Sequence, residues 1–197
     1  MDTQKKKRIM KKKDTVRADV IYSRCTITRP VQLNMKQVGK TLKSSLERKV
    51  KAELEGKCIV EGYVKKDSVK VVSFSNGEVK GELIQFQTIV DCLVCFPVDG
   101  MLVQCSAKNI TKAGIRAEIQ GESVSPIVCF ISRDHHINSS QFAAVSENDP
   151  ILVRIIGQRF ELNDNFISAI GELVVDKEKQ NTNKGTRRRQ TEVAAKD

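Results

Sequence analysis

The spacing of apolar residues changes at Gly56, and this change constrains the fold more than any other feature of the chain. Upstream of Gly56, five aliphatic residues recur every four positions, which is typical of the buried stripe of an amphipathic helix. They are Val38, Leu42, Leu46, Val50 and Leu54. Downstream, apolar and polar residues alternate, which is typical of β-strands. We therefore expect one main helix in the N-terminal half and a largely β structure elsewhere.

The predicted helix has recognisable signals at both ends. Asn34 and Gln37 are three residues apart, as in a capping box, so they are expected to begin the helix. Gly56 has the position of a C-terminal glycine stop. Glu47 and Lys51 are four residues apart and should form an ion pair on its surface.

Short alternating segments surround this helix and predict a small antiparallel sheet. Pro30 is expected to end the first strand, and Asn76-Gly77 to form a tight hairpin turn after the third. In the fourth strand, apolar residues share one face, and Gln85, Gln87 and Asp91 are expected on the other. The predicted strands are 19–28, 58–60, 69–74 and 83–96, with 61–63 as a break. The apolar face of the last strand comprises Ile84, Phe86, Val90, Cys92, Val94 and Phe96.

The segment Pro97–Gly100 combines Pro and Gly within four residues and is interpreted as a domain boundary. After it come five strand candidates, with one long connection, 133–150, between the third and the fourth. Five short strands with this spacing match the OB-fold barrel. The candidates are 101–108, 115–120, 127–132, 151–160 and 166–175. The predicted fold is an α+β N-terminal domain, one main helix on a small antiparallel sheet, followed by an all-β five-stranded barrel.

The formal net charge of +10 is concentrated at the two ends of the chain. Residues 1–17 have a net charge of +6 and residues 175–197 of +3, which leaves +1 for residues 18–174. The basic run at 5–13 is either a nuclear-import signal, an arm that binds nucleic acid, or a solvated tail. The Arg triplet at 187–189 carries the same ambiguity. Both ends are expected to be flexible and disordered.

No cofactor, metal site or catalytic centre is predicted. Cys92 and Cys95 resemble a metal or redox pair, but residues three apart on a strand point to opposite faces, so core packing is favoured. His135 and His136 are expected on a loop, in surface or RNA-contact roles. No apolar run approaches the roughly 18 residues of a membrane span. Six Cys residues within apolar segments favour a reducing, intracellular environment.

Three stretches resemble the stalk subunit of archaeal and eukaryotic DNA-directed RNA polymerases, of the seventh-subunit type. The first is the helix end and following segment, Leu46 to Tyr63. The second is Phe86 to Gly100, which includes Phe96-Pro97-Val98-Asp99-Gly100. The third is the barrel, with Gly114-Ile115, Val128 to Ser132, Arg154 to Gly157, and Ile170-Gly171. The segment 62–86 looks short for that family, and the basic ends are not part of its pattern. A divergent copy, such as one encoded by a large DNA virus, is expected to differ in this way.

This resemblance implies a non-catalytic subunit with four parts. A basic tail (1–18) and a polymerase-docking domain (19–98) would precede an S1-type OB barrel (99–175) and a polar basic tail (176–197). Glu61, Gly62 and Tyr63 correspond to the tip that docks on the polymerase core, although Gly62 could equally serve a hairpin turn. A small helical partner of the fourth-subunit type is also implied. The location would be the nucleus, or a cytoplasmic viral factory or virion.

The barrel is expected to contact single-stranded RNA through strands two and three and the loops after strands one and four. Phe130 is either a base-stacking residue or part of the core, and Ile115 and Ala117 occupy positions where strong binders carry aromatics. The predicted contacts are Lys108, Lys112, Arg116, Phe130, Arg133, His135, Arg159, Phe160 and Asn163. The alternative hypothesis is a free S1-type RNA-binding protein that acts in translation or RNA decay.

Overall fold

The computed structural model of the chain describes residues 20–137 and 139–174. The two predicted basic tails, including the Lys run at 5–13 and the Arg triplet at 187–189, lie outside these residues. Within the described ranges, no helix is both long and apolar enough to cross a membrane.

A six-stranded sheet, called here the open sheet, forms the N-terminal half. Its central strand is β6, which pairs antiparallel with β1 along its whole length and also with β3, β4 and β5. The short strand β2 extends the sheet beyond β3. The bounds are β1 Tyr22–Asn34, β2 Cys58–Ile59, β3 Gly62–Val64, β4 Lys70–Phe74, β5 Glu78–Lys80 and β6 Leu83–Cys95.

The helix α1, Leu42–Leu54, packs on one face of the open sheet. Leu46, Val50 and Leu54 are buried in a core that also contains the inward-facing side chains of β6, as their spacing predicts. The capping box of Asn34 and Gln37 is present, but it caps a 3-10 helix, Met35–Gln37. The α-helix starts later than predicted, because the backbone is extended at Val38 before it turns into α1.

The remaining helix signals are confirmed. Gly56 has a φ of 73°, a left-handed conformation that glycine adopts without a Cβ penalty. Lys51 Nζ lies 3.8 Å from Glu47 Oε1 in the predicted i,i+4 pair.

Three sequence predictions for the open sheet are wrong. The expected break at 61–63 lies mostly in a strand, since β3 begins at Gly62. Pro30 does not end β1, since this strand continues to Asn34 with Pro30 opposite Gln87. β1 pairs only with β6 and is therefore an edge strand, where a missing N–H is tolerated. Asn76-Gly77 does not form a hairpin, because β4 and β5 both pair with β6 as successive segments. The tight turn is at Gly81-Glu82, between β5 and β6.

The C-terminal half is a closed five-stranded barrel, as the sequence predicts, and is consistent with an OB-type barrel. Neighbouring strands follow the order β10-β11-β9-β8-β7, and β9 and β11 run parallel. The connection between β9 and β10 contains a 3-10 helix, Asp134–His136, and a short helix α2, Ser140–Ala143. The strand bounds are β7 Leu102–Ile110, β8 Gly114–Ile119, β9 Ile127–Ser132, β10 Pro150–Arg159 and β11 Ile167–Leu173.

The barrel and one end of the open sheet share a hydrophobic core. Cys58, Tyr63 and Cys95 of the open sheet belong to the same buried cluster as the barrel interior. The backbone of Cys58 bonds to the β10–β11 loop, with Cys58 N–H donating to Asp164 O at 2.8 Å and Asn163 N–H donating to Cys58 O at 2.9 Å. The barrel therefore depends on residues of the open sheet for part of its packing.

Candidate nucleic-acid interface

The strand register places side chains from three neighbouring strands side by side on the outside of the barrel. Arg116 of β8 is opposite Phe130 of β9, and Phe130 is opposite Ile170 of β11. Residues that flank these positions point inward and are buried, as alternation requires. Arg116, Phe130 and Ile170 therefore form one row across the outer face.

Three apolar side chains are exposed on this outer face. Phe130 is 40% exposed and Ile170 is 50% exposed. Ile156 is 41% exposed and lies at the irregularity in β10 where the register shifts between Ile155 and Gly157. Gly157 in turn is paired with Ile170. We call Phe130, Ile156 and Ile170 the apolar face patch.

The position of Phe130 rules out the interpretation that placed this residue in the core. Its neighbours Cys129 and Ile131 are fully buried, so Phe130 points outward rather than into the core. A Cβ added to Gly114 would lie 2.9 Å from Phe130 Cζ, so the ring lies against the start of β8. The ring is supported by the backbone and is available for stacking from outside.

Ile115 and Ala117 are fully buried inside the barrel. The sequence interpretation that placed them at stacking positions is therefore wrong, because the register of β8 turns Arg116 and Glu118 outward. Ile156 and Ile170 were not predicted as surface residues. The alternation of Ile167, Ala169 and Gly171 around Ile170 is the signal that identifies it as outward-facing.

Three arginines on the outside of the barrel, Arg116 of β8 and Arg154 and Arg159 of β10, are paired with carboxylates. The N–O distances are 3.4 Å for Arg116–Glu118, 2.8 Å for Arg154–Glu172 and 3.1 Å for Arg159–Glu161. These pairs are largely exposed, so each is worth at most about 1 kcal/mol. A phosphate could displace the carboxylate from such an arginine, but the pairing weakens the positive potential of the face.

A second group of predicted contacts lies at the end of the barrel that contains the β7–β8 loop. Lys112 is exposed on this loop, and Lys108 Nζ donates to Asn148 Oδ1 at 3.3 Å. Arg133 Nη2 donates to Thr111 O at 3.3 Å, which brings the arginine to the same loop. Its guanidinium carbon lies 5.6 Å from the centre of the Phe142 ring. His135 is exposed beside it.

The third group, Arg159, Phe160 and Asn163, lies at the opposite end of the barrel. Phe160 is half-buried against the barrel core, and its ring centre is 6.1 Å from that of Phe96 in an edge-to-face arrangement. Asn163 has a φ of 69° and bonds through its N–H to Cys58 O. Phe160 and Asn163 thus connect the β10–β11 loop to the open sheet, and Arg159 remains exposed.

The predicted docking tip is only partly accessible. Gly62 lies in β3, and a Cβ there would collide with the backbone carbonyl of Cys95, so its close approach is to this chain's own β6. Tyr63 is 1% exposed, and burial raises the pKa of its hydroxyl. The Tyr63 side chain packs in the buried cluster of the barrel instead of lying at the surface. Glu61 pairs with Arg29 at 2.8 Å, and the neighbouring Val60 is 70% exposed at the β2–β3 turn.

Cys92 and Cys95 lie in different hydrophobic cores, on opposite faces of β6, as their spacing predicts. Burial raises the pKa of Cys92 to about 11 and that of Cys95 to about 12, so both thiols are protonated at neutral pH. Among the described residues, no group of three or more His, Cys, Asp and Glu side chains is arranged to hold a metal ion.

His136 has a structural position rather than the surface role expected from sequence. Its Nδ1 lies 2.9 Å from Ser132 O, and its Nε2 accepts from Leu173 N–H at 3.0 Å. The ring stacks on Phe142 with 5.0 Å between centres. His136 therefore connects the end of β9 to the end of β11.

Together these features define a β-rich protein in which a helix-covered open sheet is joined to a closed barrel with an exposed apolar face. The chain matches no protein-family model, and no curated protein matches its sequence.

Proposed function

We propose that this protein is a non-catalytic, stalk-type subunit of a DNA-directed RNA polymerase whose barrel contacts single-stranded RNA. The observation that carries the RNA-binding part is the apolar face patch, Phe130, Ile156 and Ile170, exposed on the outer face of a closed five-stranded barrel. Apolar side chains exposed together on one surface are a common mark of a binding site.

The chemistry of this face suits unpaired bases. A flat aromatic ring offers a stacking surface worth roughly 1–3 kcal/mol per base, and it accepts any base because every base has a π-face. Ile156 and Ile170 would extend this surface with aliphatic contacts. In a duplex the bases are already stacked on each other, so the patch favours single strands.

The cations around the patch would contact the phosphates. The cations Lys112 and Arg133 and the imidazole of His135 are exposed at one end of the barrel, and Arg159 is exposed at the other. A strand that crosses the outer face between them would have its bases over Phe130 and its backbone near these charges. Binding of this kind weakens as salt rises, because phosphate neutralisation releases counterions.

Two features support the polymerase part of the proposal. One is the order of the three stretches that resemble the polymerase stalk subunit, and the other is the core shared by the open sheet and the barrel. Tyr63 and Cys95 of the open sheet pack inside the barrel cluster, so the two halves form a continuous body. An assembly subunit needs such a body to hold its RNA-binding face at a fixed distance from its docking site. Val60 and Glu61, at the accessible β2–β3 turn, are the proposed docking contacts.

The RNA-binding part is tested by fluorescence anisotropy with a labelled single-stranded RNA. Phe130→Ala should weaken binding by about 1–3 kcal/mol, which is a factor of roughly 5 to 150. Phe74→Ala is the matched control, because Phe74 is 38% exposed on the open sheet and lies outside the proposed face. Equal affinities for Phe130→Ala and the wild type would overturn the proposed RNA-binding face.

The polymerase part is tested by affinity purification of the tagged full chain from its native source, with mass spectrometry of the eluate. The proposal predicts the two large catalytic polymerase subunits at near-equal stoichiometry. Val60→Glu, at an exposed turn, should reduce this recovery and leave RNA affinity unchanged. Recovery of ribosomes or RNA-decay factors instead would favour the free RNA-binding protein and contradict the stalk assignment.

A further inference from the structure

The charge of the described residues is divided unevenly between the two halves of the protein. Residues 20–98 contain 13 Lys and Arg against 8 Asp and Glu, a net charge of +5. Residues 99–174 contain 6 Lys and Arg against 9 Asp and Glu, a net charge of −3. The half with the proposed RNA-binding face therefore repels a polyanion at long range, and the other half attracts it.

The outer face of the barrel does not compensate for this deficit. Arg116, Arg154 and Arg159 each lie beside a glutamate. The apolar face patch can stack bases, but this region holds few cations to neutralise the attached phosphates. The attraction that brings RNA to the protein must then come largely from elsewhere.

The strongest concentration of free positive charge among the described residues is on and just before α1. Lys36, Lys40, Lys43 and Arg48 are exposed, and no carboxylate of the described residues lies within 4 Å of them. We call these four residues the cationic helix patch. The single acidic residue in the segment 36–51 is Glu47, which pairs with Lys51 rather than with the patch.

The packing of α1 explains why Arg48 faces outward. Leu46 and Val50 are at most 1% exposed because they pack on the open sheet, so Arg48 is turned away from the core. Lys49 is not part of the patch, since its Nζ donates to Gln32 O at 2.7 Å and ties the helix to β1.

We propose that the cationic helix patch is a second contact for the same single-stranded RNA and binds its phosphate backbone, which supplies the electrostatic attraction that the barrel face lacks. This inference rests on the proposed RNA-binding function of the barrel. Phosphates are favoured over an acidic protein as the partner because the stacking surface on the barrel already selects a ligand with bases, and that ligand brings a continuous row of negative charges.

The distance between the patch and the barrel sets a minimum length for an RNA that contacts both. The C-terminal end of α1 is next to β3, where Gly56 N–H donates to Val64 O at 3.0 Å, and this is the junction with the barrel. A helix of 13 residues is about 20 Å long, so its N-terminal end lies well away from that junction. A short RNA that covers only the barrel face would miss the patch, and a long one could contact both.

The test compares two variants of the full chain that lose equal charge. In the patch variant, Lys36→Gln, Lys40→Gln, Lys43→Gln and Arg48→Gln are combined. In the control variant, the substitutions are Arg24→Gln, Lys66→Gln, Lys70→Gln and Lys80→Gln, at four other exposed positions of the same half. Anisotropy is measured with labelled oligouridylates of about 6 and about 30 nucleotides, the shorter being within the site size of one OB barrel. Thermal melts of both variants verify that they fold like the wild type.

The inference predicts that the patch variant binds the long RNA at least about tenfold more weakly at physiological salt. Its plot of log Kd against log salt concentration should be shallower by about 3, since each lost phosphate contact on a single strand contributes about 0.7. The control variant should lose less than about threefold, and neither variant should change affinity for the short RNA.

The possible outcomes separate this inference from the proposed function. No binding by the wild type to either RNA at low salt would overturn both. Wild-type binding to both RNAs, with equal losses in the two variants or no loss in either, would overturn the patch and leave the barrel face standing. A third outcome is that poly-glutamate binds the wild type as tightly as the long RNA does, and binds the patch variant much more weakly. This result would assign the patch to acidic proteins and also overturn the inference.

Discussion

The open sheet and the barrel bury their apolar strand residues in different ways. The barrel closes on itself, so Val103, Ile115 and Ile155 are fully buried in its interior. The open sheet is covered by α1 on one face, and its other face carries polar side chains such as Gln85 and Gln87. Closure leaves the part of the outer face that carries Phe130 and Ile170 exposed, away from the side that packs on the open sheet.

The two regions also differ in what they expose. The barrel displays the apolar face patch beside paired charges, and the open sheet displays unpaired cations along α1. This difference suggests a division of roles, in which one region stacks bases and the other attracts phosphates. The following predictions test how independent the two regions are.

The largest effect is expected where the two regions join. Gly62 has a φ of 126°, which side-chain-bearing residues rarely adopt, and a Cβ there would collide with the Cys95 backbone. Gly62→Val should lower the free energy of unfolding by about 3 kcal/mol or more, as measured by urea denaturation. Gly81→Asn is the control, because nothing lies within 4 Å of the added Cβ and Asn tolerates a φ of 64°. A loss below about 1 kcal/mol for Gly62→Val would contradict the close β3–β6 packing next to the junction.

The next largest effect tests whether α1 and the barrel lose stability independently. Leu46 is fully buried between α1 and the open sheet, so Leu46→Ala should cost about 2–5 kcal/mol. Met35→Ala, at a 63% exposed position, should cost less than about 0.5 kcal/mol. Hydrogen exchange should show faster opening of α1, with slower amides retained in the barrel. Equal acceleration in both regions would show that they open as one unit.

High pH should destabilise both regions through their buried thiols. Burial raises the pKa of Cys92, in the open-sheet core, and of Cys58, at the junction, from an ordinary value near 9 to about 11. The folded state therefore holds these protons more tightly than the unfolded state. Their contribution is fully present below pH 9 and is lost as pH rises from 9 towards 11.

Urea denaturation at pH 8, 9 and 10 measures this loss, which should be on the order of 1 kcal/mol per thiol by pH 10. Cys92→Ala should reduce the slope of stability against pH between 9 and 10, although it lowers stability at every pH. An unchanged slope in this variant would rule out Cys92 as a source of the dependence.

The smallest effect concerns an ion pair across the junction. Lys65 Nζ lies 3.1 Å from Glu122 Oε1 and 4.4 Å from the centre of the Tyr22 ring. Because these groups are partly exposed, Lys65→Gln should cost only about 0.5–1 kcal/mol. A double-mutant cycle with Glu122→Gln measures the pair itself. A coupling energy above about 2 kcal/mol would mean that this contact, rather than the shared core, joins the two regions.

The parts of the fold that follow from local patterns could be predicted from sequence. The four-residue spacing from Leu42 to Leu54 identified α1, and the alternation in β6 identified its buried face. The order and spacing of the last five strands identified the barrel. These signals are local because helix and strand periodicities are fixed by backbone geometry.

The failures concern features that depend on a partner strand distant in sequence. Pro30 is compatible with a strand because β1 is at an edge of the sheet. Asn76-Gly77 does not form a hairpin, because β4 and β5 both pair with β6 and not with each other. Tyr63 was expected at an exposed tip, but its side chain is buried where the barrel packs against the open sheet. The outward position of Phe130 was decided by its place in the register, which periodicity within a short apolar strand did not settle.

The most direct test of the central claim is to map where RNA touches the protein. The full chain would be cross-linked to an oligouridylate containing 4-thiouridine, and the modified peptides identified by mass spectrometry. If the outer face binds RNA, cross-links should concentrate on β9 and β11, at or beside Phe130 and Ile170. Phe130→Ala should remove most of them, and Phe74→Ala should not. Cross-links confined to other surfaces, or unchanged in Phe130→Ala, would contradict the assignment of the barrel's outer face as the RNA-binding site.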